Sequence, residues 1–196
     1  MHMTCLIAGE NYEEQLAPFQ ENNMGDCPEE FLDTYTYELE KDDDIEWLDF
    51  ENEDEAKEYC EKIGVKFDDE NGDWSNSKAK WDWYQVGGRW YGYFIKKADG
   101  YGEKGSKSWM DVRPDTDDNS VDIVRKGDID IDEVIKRNGG DNKEFLDIIR
   151  PYSFISNGEF ISRDGCDDDD EYNKMFREWW NSLSDDEIIV AIDYHM

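Results

Sequence analysis

The chain is poor in the residues that build metal centres, redox pairs and membrane spans. Among its 196 residues there are two histidines, His2 and His195, and four scattered cysteines, Cys5, Cys27, Cys60 and Cys166, with no Cys-x-x-Cys pair. Zinc sites and thiol-redox sites need more closely spaced ligands, so no metal and no cofactor is expected, and the thiols are read as reduced. No run approaches the roughly 18 apolar residues of a membrane-spanning helix. Residues 1–8 have neither the basic flank nor the length of an apolar targeting core, so a cytoplasmic location is expected. Bases are scarce as well: 21 Lys and Arg face 52 Asp and Glu, for a net charge of −31. Binding to phosphate requires clustered Lys and Arg, which argues against direct nucleic-acid binding and against an anionic membrane surface.

The chain does have carboxylates and aromatic rings in abundance. Phe, Trp and Tyr make up 14% of it, enough large apolar area to anchor a core despite the charge. Seven of those aromatics crowd into residues 80–94, KWDWYQVGGRWYGYF, around a Gly-Gly pair. From Lys78 to Lys107 seven bases meet three acids, a local charge of +4 that leaves −35 on the rest of the chain. Self-repulsion on that scale costs stability, and it favours basic partners. Its plainer reading is solubility.

Read in order, residues 2–8 form an opening strand, and residues 12–23 a short polar helix interrupted by Pro18. Residues 31–39 alternate as a strand, with Tyr35, Tyr37 and Leu39 on one face. Residues 53–63 carry the periodicity of a helix with acids in the first turn and Gly64 at its stop. Residues 65–67 return as a strand. Residues 81–86 and 89–95 read as a β-hairpin turning at Gly87-Gly88. Residues 121–125 form a strand, and a helix capped by Asp130 covers 131–136. Asn157-Gly158 marks a second hairpin. Residues 171–183 form an amphipathic helix with Tyr172, Met175, Phe176, Trp179 and Trp180 on one face, and residues 188–192 an apolar strand. The sum is an α+β fold: one domain, 1–196, built on a mixed or antiparallel sheet with an aromatic Gly-Gly hairpin, packed by a few short helices. Acidic loops are expected near 68–77, 113–120 and 164–170.

Two candidate sites follow. In one, Trp81, Trp83 and Trp90 stack on a ligand and Arg89 contacts its phosphate, with Asp193 and His195 as an acid/base pair on one strand face. The plainer reading is a hairpin whose tryptophans fill the core and a terminal histidine that is merely exposed. No nucleophile motif accompanies the pair, so no catalytic residue is assigned. In the other, the acidic runs Asp42, Asp43, Asp44 and Asp167, Asp168, Asp169, Asp170 meet a basic protein.

Four blocks, TCLIAGENYEEQLAPFQEN (4–22), KWDWYQVGGRW (80–90), KGDID (126–130) and LSDDEIIVAIDYHM (183–196), resemble a family of small acidic proteins borne mostly by phages and prophages. The blocks span the chain, and the opening Met1-His2-Met3-Thr4 departs slightly from the family's usual start. The resemblance brings no activity and no catalytic residues. It implies a mobile-element origin. With the charge, it leads to the expectation of a non-enzymatic anti-defence inhibitor, of anti-CRISPR or anti-restriction type, acting in the host-cell cytoplasm. Its partner would be a basic host protein, a nucleic-acid-binding defence nuclease, met by carboxylates standing in for phosphates. The alternative is a protein that binds a nucleotide or small anion at Arg89, to sequester or hydrolyse a signal.

Overall fold

The computed structural model describes residues 1–41, 44–109, 116–138 and 143–196. By their contacts these fall into two compact units, unit 1 (Met1–Leu16 and Trp83–Met196) and unit 2 (Ala17–Asp82). Each has its own apolar cluster. In chain order the elements are β1 (His2–Ala8), α1 (Tyr12–Leu16), β2 (Thr34–Lys41), β3 (Asp44–Phe50), α2 (Glu53–Ile63), β4 (Gly72–Ser75), β5 (Trp83–Gly88), β6 (Phe94–Ile95), β7 (Gly102–Glu103), β8 (Ser106–Lys107), β9 (Ser120–Val121), β10 (Ile123–Arg125), α3 (Ile131–Arg137), α4 (Phe145–Ile148), β11 (Ser153–Ser156), β12 (Glu159–Ser162), α5 (Asp169–Ser182) and β13 (Ile188–His195). Among the described residues no helix is long and apolar enough to cross a membrane. The α+β class holds.

Unit 1 is organised by its terminal strands. β1 and β13 pair antiparallel along their whole length, from His2 opposite His195 to Ala8 opposite Ile189. Of their buried residues, Leu6, Ile189 and Ala191 belong to the main core cluster. β11 adds to β1 in parallel, and β12 returns from it across Asn157 and Gly158. Both turn residues have positive φ, 53° and 78°, as a two-residue primed turn demands. α5 starts where Asp168 accepts a hydrogen bond from the Glu171 N–H at 2.8 Å. Its spacing buries Tyr172, Phe176, Trp179 and Trp180, and Phe154 of β11 meets three of those rings.

Unit 2 is a three-stranded antiparallel sheet, β3-β2-β4, with α2 on one face. Period 2 sends Tyr35, Tyr37 and Leu39 to the helix side, where Ala56 and Cys60 meet them. α2 is closed by the Asn52 side chain accepting from Glu55 N–H at 3.1 Å and by Gly64 at φ 77°. The opposite parity, Thr36, Glu38 and Glu40 on β2 with Ile45, Trp47 and Asp49 on β3, faces away from α2.

Several expectations are corrected. Residues 89–95 do not fold back on β5: Gly87 and Gly88 lie inside β5, which pairs with β13 and β8, while Phe94–Ile95 pairs with β9. The strand expected at 65–67 is irregular, because Phe67 leaves the sheet to stack on Tyr37. The strand expected at 121–125 is split at Asp122 into β9 and β10. The acidic loop at 68–77 contains β4, and the one at 164–170 runs into the capped start of α5. Of the loop at 113–120, residues 113–115 lie outside the described residues.

Phe176 is 1% exposed at the centre of the aromatic cluster. Replacing it by alanine is expected to destabilise unit 1 by about 3–5 kcal/mol, read as a fall in the urea midpoint at unchanged slope.

Candidate functional site

Two fully buried carboxylates, Asp122 and Asp193, hold the aromatic island in place. One edge of β13 is shared. β10 covers Ile188 to Val190, the Asp122 carbonyl accepts the Ala191 N–H at 2.8 Å, and β5 covers Ile192 to His195. Asp122 therefore sits in the gap between β10 and β5. Its Oδ1 accepts the N–H groups of Gly92 at 2.7 Å and Tyr93 at 3.1 Å, and its Oδ2 that of Gly105 at 2.9 Å. Asp193 Oδ2 accepts the Arg89 N–H at 2.9 Å, and its Oδ1 lies 3.0 Å from Nδ1 of His2.

These carboxylates explain the Gly-Gly pair. Gly87 and Gly88 have φ of +81° and +55°, and a Cβ at either would lie 2.8 Å from Asp122 Oδ2 or 2.4 Å from Asp193 Cβ. Both the left-handed backbone and the close approach require glycine. The pair admits two buried aspartates.

The predicted ligand residues are dispersed. Trp81 is buried in unit 2, where its backbone bridges Gln20. Trp90 packs against the unit 1 core. Trp83 is exposed at the start of β5, opposite His195 in register and with its ring 5.8 Å from that of His2. The Arg89 Nε is buried and has no hydrogen-bond partner. Asp193 and His195 share a strand face, yet the carboxylate bonds to His2, whose ring centroid lies 5.1 Å from that of His195. Sequence reasoning missed His2. The signal was present: with β1 and β13 as neighbours, the two histidines of the chain fall opposite each other. The arrangement fixes one imidazole nitrogen and orients the ring. Among the described residues no three His, Cys, Asp or Glu side chains are placed to hold a metal ion. Burial pushes the Cys5 thiol up to about 12, so this thiol stays protonated and inert.

The acidic runs have different fates. Asp42 and Asp43 lie outside the described residues, as does the side chain of Asp44 at the start of β3. Asp168 caps α5, and Asp169 pairs with both Nε and Nη2 of Arg163 at 2.5 and 2.6 Å. Hydrogen bonding from that guanidinium holds the Asp169 carboxyl below the ordinary carboxylate range. Asp167 and Asp170 are exposed. Part of this run therefore serves the fold.

The denser charge lies elsewhere. Unit 2 has 23 acids and 6 bases in 66 residues, net −17, against −14 over the 130 residues of unit 1. On the outer face of its sheet, Thr36 stands between Asp49 and Asp73 in register, and Glu38 stands beside Trp47. No protein-family model, curated protein or solved structure matches the chain.

Asp122→Ala leaves three N–H groups without their acceptor, and a loss of about 3 kcal/mol or more is expected in chemical denaturation. Asp122→Asn keeps one acceptor oxygen and should lose less; stability unchanged from the wild type in that variant would show that the carboxylate pairing is not what matters there.

Proposed function

We propose that the chain is a non-enzymatic anti-defence inhibitor of phage type, which occupies the basic nucleic-acid-binding surface of a host defence nuclease in the host cytoplasm. The observation that carries this reading is the charge of unit 2, net −17 in 66 residues, with carboxylates and an exposed tryptophan on a sheet face turned away from its helix. A surface tuned to phosphate also attracts an array of carboxylates, and the long-range field speeds encounter at low salt. Exposed Trp47 adds the apolar contact that converts encounter into residence, since interface anchors are commonly aromatic.

The test is cleavage by a panel of purified basic restriction and RNA-guided nucleases. Inhibition is expected at low salt and should fade towards 1 M, where the screening length falls to about 3 Å. Substituting Glu38, Glu40, Asp49 and Asp73 together by their amides should weaken inhibition by about tenfold or more. Absence of binding and inhibition across the panel at low salt would sink the proposal.

The unpartnered Nε of Arg89 favours a second reading, a small-anion or nucleotide site in unit 1. Under that reading a nucleotide raises the melting temperature of the wild type and has no effect on Arg89→Ala, which keeps the backbone N–H bonded to Asp193.

A further inference from the structure

The outer face of the unit 2 sheet is concave as well as acidic. A cavity of about 530 Å³ opens there, walled by Glu21, Glu38, Glu70, Asp73, Trp47 and Trp74 among others, and among the described residues no lysine or arginine lines it. Trp47 is 64% exposed and Trp74 40%. Trp47 stands opposite Glu38 across β2–β3 on this face, whereas the Trp74 ring turns to the helix side, where it meets Tyr35 edge to face at 5.7 Å, so Trp47 is the indole that the groove presents. The carbonyl of Trp74 accepts a hydrogen bond from Nδ2 of Asn22 at 2.8 Å, which ties the neighbouring segment to the β4 wall. One Asp73 oxygen accepts the Trp74 N–H, while Glu21, Glu38 and Glu70 have no ion-pair partner among the described residues.

We propose that this groove seats an arginine-bearing segment of a basic protein, with a guanidinium against Trp47 and its N–H groups on Glu38 and Asp73. The proposal rests on the inhibitor reading and names the chemistry that its surface recognises. Charge complementarity selects the occupant: among the described residues four carboxylates and no base line the groove, which excludes phosphates and acidic peptides, and the exposed indole of Trp47 rewards a cation that can also stack. A guanidinium fits both requirements, being planar, weakly hydrated and always charged; an ammonium offers a point charge without the plane. A groove selective in this way would distinguish arginine-rich nucleic-acid grooves from merely lysine-rich surfaces.

Calorimetric titration of the full chain at low salt with nona-arginine, nona-lysine and spermidine tests the proposal. Nona-arginine should bind more tightly than nona-lysine. Trp47→Ala, a change at an exposed position, should weaken nona-arginine binding by about tenfold with an unchanged circular dichroism spectrum. Asp170→Asn and Glu178→Gln in unit 1 serve as charge controls and should leave it unaltered. Equal affinity for the two peptides, or wild-type affinity in Trp47→Ala, would overturn the proposal. Spermidine binding as tightly as nona-arginine, and equally sensitive to Trp47→Ala, would overturn it in favour of a free polyamine. Trp47-dependent arginine binding without nuclease inhibition would leave the groove standing and remove the inhibitor reading. Nuclease inhibition insensitive to Trp47 would do the reverse.

Discussion

Burying a carboxylate is expensive unless every lone pair that faces the interior finds a donor. A chain with a net charge of −31 nevertheless buries two, Asp122 and Asp193, at the seam where β10 and β5 meet along β13. The backbone supplies most of the donors: Gly92, Tyr93 and Gly105 for one, Arg89 together with His2 for the other. The seam accounts for several features at once. It splits a strand at Asp122, places Gly-Gly inside β5 with positive φ, and ties the island between them to the strands that close the sheet. Charge-assisted bonds to backbone N–H groups are stronger than neutral ones, which suits a site that must resist the repulsion of the remaining acids.

The two units treat their charge differently. In unit 1, carboxylates are spent on the fold. Asp168 caps a helix, Arg137 joins Asp117 and Glu133, and Arg177 joins Glu144 and Asp147. Hydrogen bonds from Arg137 hold Asp117 below the ordinary carboxylate range, and those from Lys136 and Arg137 do the same for Glu133. In unit 2, six bases cannot neutralise 23 acids. The repulsion there is offset by a small aromatic core under α2, and the outer sheet face keeps carboxylates beside tryptophan. Self-repulsion of that kind favours association with a basic surface.

Much of the fold was legible from period and punctuation. The alternation at Tyr35, Tyr37 and Leu39, the caps at Asp130 and Gly64, the Asn157-Gly158 turn and the stripe on α5 are local signals, and local signals are what a sequence carries. The Gly-Gly pair misled for the same reason. Two adjacent glycines usually mark a turn, and nothing nearby in sequence reveals that Asp122 and Asp193, far along the chain, need the space. The site was half legible. Asp193 stood out, whereas its partner His2 depends on the register between the terminal strands. The groove at Trp47 escaped notice because its walls come from four separate stretches and its tryptophans are absent from the aromatic island.

The central claim is that unit 2 presents its sheet face as the docking surface while unit 1 spends its charge on structure. A nitrogen-15 NMR map of the full chain, titrated with an arginine-rich peptide, tests this most directly. The account predicts shifts confined to amides of Thr36, Glu38 and Asp73 and to the indole N–H signal of Trp47. Shifts centred instead on Arg89 or along α5, or spread evenly over both units, would contradict it.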